Sequence, residues 1–195
     1  GAYEVEVTGQ MTFSSSIVPK PTSDYVFAGT ENARIICIKI TTQGLANPLS
    51  VTSFSFNTNG TTNISDITDA KLFYTGSSNQ FVANNQFGST ITDLSAPFVI
   101  TGNQQLNPIN NYFWLAYTIS PTANEFNELD AECTLFVCNG IDRVPDVTAP
   151  IGSRTIRGYF QGEYSVGEGG IYPNLNSAFA DVQILGVSGN VTFNI

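Results

Sequence analysis

The chain has 195 residues, of which 42% are hydrophobic and only 12% charged, and its 16 acids against 7 bases leave a net charge of −9. That length holds one full domain and a small remainder, and the 14 Phe and 8 Tyr supply enough apolar mass for a packed interior, which excludes a disordered chain. No cluster of Lys or Arg could follow a phosphate backbone, which excludes nucleic acid as a partner, and no run of about 18 apolar residues is present to span a membrane.

The chain opens directly into strand-like Tyr3-Glu4-Val5-Glu6-Val7 with no basic-then-apolar signal segment, so a signal has been removed or left out. Further segments rich in β-branched and aromatic residues follow, and the full series reads 3–8, 24–28, 34–42, 50–57, 67–75, 97–101, 112–119, 131–139 and 155–158. Gly, Asn, Asp, Ser and Pro separate them. The spacing predicts an all-β fold, a two-sheet antiparallel β-sandwich of jelly-roll-like form. In Ser53-Phe54-Ser55-Phe56-Asn57 the alternation places Phe54 and Phe56 on a buried face and the serines toward water. Tyr112-Phe113-Trp114-Leu115-Ala116-Tyr117 does not alternate, and so reads as a central strand covered on both faces. Trp114 is then a core residue; its other reading is a sugar-stacking platform.

The segments 57–63 and 75–79 are loops by composition, with Asn-Gly and Thr-Gly steps that tolerate positive φ. Binding residues concentrate on such loops, and the aromatic and amide groups Tyr74, Asn79 and Phe81 are candidate carbohydrate contacts. Past Gly169-Gly170, the residues Leu175, Ala178, Phe179, Val182 and Leu185 fall at helical spacing. Pro173 and Asn174 suit the entry and Gly186 the exit, which predicts a helix over 175–185. A strand over 190–195 follows, unpaired in this reading. The organisation expected is a β-sandwich over 1–160, then a linker with the first helix and strand of a following domain over 161–195.

Histidine is absent, which removes the usual general base and the commonest metal ligand. The nearest acidic pairs, Asp66 with Asp69, Asp130 with Glu132 and Asp142 with Asp146, lie in ordinary strand-edge or loop sequence. Oxygen ligands suit calcium, for which Asp66, Asp69 and Asp130 are the candidates, although the spaced loop of a dedicated site is missing. No other cofactor is implied. Cys37, Cys133 and Cys138 sit in apolar strand-like settings and read as buried free thiols, a single bridge being the alternative. Asn59, Asn63 and Asn190 match the glycan-acceptor pattern at the frequency an Asn- and Thr-rich chain produces by chance.

The blocks Ser53-Phe54-Ser55-Phe56-Asn57-Thr58-Asn59-Gly60-Thr61-Thr62, Asp69-Ala70-Lys71-Leu72-Phe73-Tyr74-Thr75-Gly76, Phe87-Gly88, Asn111-Tyr112-Phe113-Trp114-Leu115 and Leu129-Asp130-Ala131 occur in an order that resembles a known module. It is similar to the N-terminal domain that precedes BNR-repeat sialidases in large secreted proteins of Bacteroidetes-type bacteria, over residues 22–156. The resemblance implies a β-sandwich accessory role at an extracellular or outer cell-surface location, with a glycan or host-surface ligand. It does not imply catalysis, because the propeller that carries the sialidase active site is not in this chain. Two departures stand out: Asn107-Pro108-Ile109-Asn110 where a Gly turn is common, and Thr118 where Asp is common. The tail, with Gly169-Gly170-Ile171-Tyr172-Pro173 and Val191-Thr192-Phe193-Asn194, resembles segments that open parallel β-helix regions in type IX secretion cargo, which implies continuation into a further domain. Three functions follow in order: an accessory or adhesion module, a structural spacer in a surface stalk or filament, and a glycan-processing hydrolase fragment using an acid pair.

Overall fold

The computed structural model describes residues 9–19 and 25–195, so the strand expected over 3–8 lies outside the described residues. The elements are β1 (Thr12–Ile17), β2 (Val26–Phe27), β3 (Ala33–Gln43), β4 (Ser50–Asn57), β5 (Ile67–Tyr74), β6 (Gln86–Ile91), β7 (Phe98–Gln105) and β8 (Asn110–Ile119). They continue with β9 (Glu128–Leu129), β10 (Glu132–Cys138), β11 (Ile141–Arg143), β12 (Arg154–Arg157), β13 (Phe160–Ser165), α1 (Leu175–Leu185) and β14 (Val187–Asn194). Among the described residues no helix is long and apolar enough to cross a membrane.

Two antiparallel sheets face each other, one in the order β1-β3-β8-β5-β6 and the other β11-β10-β4-β7. The pairings β3 with β8, β4 with β7 and β5 with β6 are nested about the β5–β6 connection, as in a long hairpin rolled over itself. That nesting is the jelly-roll character expected from the sequence. β1 and β6 are the edges of the five-stranded sheet. Their serine- and glycine-containing sequences, with one buried residue each, carry too little alternation to announce a strand.

Aromatic packing between the sheets forms the core. Phe54 of β4 lies 4.7 Å from Phe113 of β8, 5.5 Å from Phe87 of β6 and 5.6 Å from Phe136 of β10, centroid to centroid. The alternation expected in β4 is present, with Phe54 and Phe56 fully buried and Ser53 and Ser55 half-buried. Cys37, Cys133 and Cys138 are all buried free thiols. Burial pushes the Cys133 thiol up to about 12.

A buried polar cluster closes one end of the interior. Tyr74 donates its hydroxyl to Asn111 Oδ1 at 2.6 Å, and Asn111 exchanges hydrogen bonds with the backbone of Asn107 at 2.7 and 2.8 Å. The turn that follows places Ile109 at φ 74°, with its side chain 66% exposed. A β-branched residue in the left-handed region is strained, and this is the turn where glycine is expected by resemblance. At the other end, Glu132 ties down the 57–62 loop. Its carboxylate accepts from Asn57 Nδ2 at 2.8 Å, Thr148 Oγ1 at 2.7 Å and Asn59 Nδ2 at 3.4 Å. The donors from Asn57 and Thr148 hold that carboxyl below its usual range.

After the small sheet β2-β12-β9, the chain makes a second unit in which β13 and β14 pair in parallel across α1. The helix has the predicted bounds. Asn174 caps it by accepting from Ser177 N at 2.9 Å, and Gly186 leaves it at φ 71°. The terminal strand departs from expectation: it begins at Val187 and is paired, in the register Tyr164 with Phe193. Its partner β13, with a single buried residue, gave no strand signal in the sequence. Phe179, expected on the buried helical face, is half exposed and meets Phe193 edge-on at 5.5 Å.

Two outcomes follow. Ile109→Gly relieves the positive φ at an exposed site and should raise stability by about 1 kcal/mol in urea unfolding, provided the turn is intact. Glu132→Gln should lower stability at neutral pH. Because the folded carboxyl is held low, the contribution is present above the unfolded value of about 4.3 and is lost as pH falls through the folded one, so the two melting curves should converge in acid.

Candidate functional site

Strand parity determines what the five-stranded sheet shows to the outside. In β8, Phe113, Leu115 and Tyr117 are fully buried toward the opposite sheet, which turns Tyr112, Trp114, Ala116 and Thr118 outward. Across the sheet Trp114 lies between Cys37 of β3 and Phe73 of β5, and Tyr112 lies beside Lys39. Trp114 is therefore half-buried on the outer face and is not a residue of the sandwich core, as the continuous apolar run implied.

The loop after β5 folds back over part of this face. Trp114 Nε1 donates to Thr75 Oγ1 at 3.0 Å, and Thr75 Oγ1 donates to the Ser78 carbonyl at 2.6 Å. Gly76 turns the chain at φ 64°, while its carbonyl accepts from Tyr112 N at 2.9 Å. Phe81 then packs 5.8 Å from Trp114 and edge-on to Phe73 at 5.9 Å. Asn79 and Gln80 are held by a bond from Gln80 Nε2 to Asn79 Oδ1 at 3.1 Å, and both remain exposed.

The uncovered part of the face is an open cavity of about 470 Å³. Trp114, Tyr112 and Cys37 line it together with Asn79 and Gln80 from the loop; Lys39, Arg34 and Pro19 contribute the other walls. A volume in the roughly 300–1,000 Å³ range, with apolar walls and a few convergent polar groups, suits a small ligand. Burial pushes the Cys37 thiol well above its ordinary value, so it is neutral at this site. The aromatic rings supply flat apolar surface, and the two amides supply both donors and acceptors.

The residues singled out from the sequence are divided by the structure. Asn79 reaches the cavity and Phe81 braces the Trp114 ring beside it, but Tyr74 points inward and is buried with its hydroxyl on Asn111. It faces the interior because it is one residue out of phase with Phe73. The carboxylates expected to hold calcium are each engaged separately. Asp66 is buried and accepts from Asn124 N at 3.0 Å and Asn127 Nδ2 at 2.6 Å. Asp69 accepts from Thr118 Oγ1 at 2.9 Å and pairs with Lys71 at 3.1 Å. Asp130 accepts from Ala131 N at 2.8 Å, and burial raises its carboxyl despite that bond. Among the described residues no three such groups gather where they could hold a metal. Of the lining residues that sequence reasoning missed, Tyr112 and Gln80 carried no signal. Lys39 was the available clue, since a lone cation inside Ile35-Ile36-Cys37-Ile38-Lys39-Ile40 marks the outward phase of the strand.

Against solved structures, the chain is similar to one described as Hadza microbial sialidase Hz136, with a TM-score of 0.52 and 16% identity over 72% of this chain. It spans 30% of that sialidase, and the likeness is one of fold. No curated protein sequence matches. The family model described as the N-terminal domain of BNR-repeat neuraminidase matches residues 15–141, from within β1 to the start of β11. Since that match covers well over half of the 195 residues, the chain belongs to the family of N-terminal domains of BNR-repeat neuraminidases.

Proposed function

We propose that this domain is a non-catalytic accessory module that binds carbohydrate in the cavity on the outer face of the five-stranded sheet. The observation that carries the reading is the Trp114 ring at the cavity wall with the exposed amides of Asn79 and Gln80 beside it. A sugar ring offers an apolar face to an indole and hydroxyls to amides, and both are present within one small-ligand volume. Family membership supports an accessory role beside a catalytic domain, and the sialidase with a similar fold supports a glycan as the ligand class. In this reading the protein works outside the cell or on its surface, and residues 161–195 open a following domain of the same polypeptide, for which the resemblance of the tail favours a β-helix.

A second reading, a spacer that positions its neighbours, is favoured by the packing between the sandwich and the C-terminal unit. Phe27 stacks on Tyr159 with ring centroids 4.4 Å apart, and Arg157 pairs with Asp181 at 3.1 Å. The two readings are compatible, and only the first requires the cavity.

A glycan array of neutral and acidic structures, probed with the 195-residue chain, should show binding. Trp114→Ala should lose about tenfold or more in affinity, since one ring–sugar contact of roughly 1–2 kcal/mol corresponds to that factor. Tyr74→Phe should destabilise the fold by about 1 kcal/mol through its lost buried hydrogen bond and leave glycan affinity unchanged. Absence of binding by a folded chain, or equal affinity after Trp114→Ala, would sink the carbohydrate reading and leave the spacer.

A further inference from the structure

Phe126 is a backbone outlier at the surface of the protein. Its φ of 66° lies in the left-handed region, which a bulky residue rarely enters, and the residue is 68% exposed, so burial does little to offset the strain. The backbone is held there from three points. Asp66, buried at the end of the 3-10 turn Ile64–Asp66, accepts from Asn124 N at 3.0 Å with one carboxylate oxygen and from Asn127 Nδ2 at 2.6 Å with the other, which grips the chain on both sides of Phe126. Phe126 N itself donates to the Ile156 carbonyl at 2.8 Å. Strain that the surrounding bonds over-determine in this way concentrates at binding sites held ready for a ligand.

Beside Phe126 lies a second cavity, of about 210 Å³, where the end of β12 meets the C-terminal unit. Phe126, Phe160, Tyr164 and Tyr172 supply aromatic walls, and Glu125 and Arg157 supply charge. The volume falls below the roughly 300–1,000 Å³ of a drug-sized site, and suits a single ring. Of the two charged groups Arg157 is committed: it pairs with Asp181 at 3.1 Å, and its guanidinium lies 5.0 Å from the rings of Tyr25 and Phe126. Glu125 is not committed, since no hydrogen bond or ion pair engages its carboxylate among the described residues. That carboxylate lies directly over Gly158, and a Cβ at position 158 would collide with it.

We infer that this cavity binds an arylalkylammonium group, with a small apolar ring seated against Phe126 and the tyrosines and the cationic amine on the Glu125 carboxylate. The same pair of groups occurs in a free amine and in adjacent aromatic and basic residues of a peptide. A carboxylate and the faces of aromatic rings both attract a cation, and an anionic ligand would meet Glu125 as a like charge. This cavity shares no lining residue with the one on the five-stranded sheet, so the inference stands or falls apart from the carbohydrate reading.

The test is calorimetric titration of the whole chain with phenethylamine, 2-phenylethanol, 3-phenylpropionate and the N-acetylated dipeptide amide of Phe and Lys. Phenethylamine or the dipeptide should bind about tenfold more tightly than the alcohol, as a charge-assisted hydrogen bond gives, with the acid weakest. The tighter of the two cations supports the inference and identifies the source of the group. Glu125→Gln and Gly158→Ala should each abolish the preference for the cation, the second by displacing the carboxylate. Phe126→Gly removes ring and strain together, and should weaken every ligand without lowering the melting temperature. Equal affinity for the cations and the alcohol, tighter binding of the acid, or no binding by the folded chain overturns the inference. A Phe126→Gly chain that melts lower and binds as before also overturns it, because Phe126 is then a packing residue.

Discussion

Phe54 and Phe113, 4.7 Å apart across the two sheets, fix the phase of the strands around them. With Phe113 pointing inward, Leu115 and Tyr117 follow it into the core at intervals of two, and every intervening residue of β8 is forced outward. The floor of the cavity is therefore a consequence of the core. β3 obeys the same rule with one adjustment. The register shifts between Arg34 and Ile36, so that Arg34 opposite Ala116 and Cys37 opposite Trp114 both face out although they are three positions apart. Without that bulge either Arg34 or Lys39 would turn toward the interior, and the two cations would not share a cavity.

An outer face built from Phe73, Trp114, Tyr112 and Cys37 is too apolar to be left open to water. The loop after β5 covers one part of it, with Phe81 seated against Phe73 and Trp114. The hydrogen bond from the indole to Thr75 ties ring and loop together, so the wall of the cavity is preorganised. Preorganisation of this kind saves the ordering cost that a flexible aromatic would incur on binding. The aromatic residue of the loop thus covers the sheet, and its two amides remain at the rim.

The division between what could and could not be read from the sequence follows from this arrangement. Alternation in β4, the bounds of β3, β4 and β8, and the helix with its Asn174 cap were legible because each rests on local periodicity or capping chemistry. Trp114 was not, since an apolar run reports that both faces of a strand are covered without reporting by what. One face is covered by a sheet and the other by a loop and a cavity. Tyr74 was misplaced for the related reason that it ends β5 in the inward phase, one position from the loop that composition marks as a binding segment. The strand β13 and the start of β14 were illegible because they pair with each other at the surface, where burial imposes almost no pattern.

The wall of the cavity and the joint to the C-terminal unit are connected through one strand. Arg154, at the start of β12, donates to the Arg34 carbonyl at 3.0 Å and to the Tyr25 carbonyl at 2.7 Å. Three residues later on the same strand, the Arg157 guanidinium lies 5.0 Å from the rings of both Tyr25 and Phe126 and pairs with Asp181 of α1. Tyr172 donates to the same carboxylate at 3.1 Å. β12 therefore fixes the backbone of a cavity residue at one end and the following unit at the other. A guanidinium that is stacked as well as ion-paired resists displacement better than a surface ion pair, whose worth is about 1 kcal/mol or less. The structure consequently holds the cavity in a set orientation relative to the C-terminal unit.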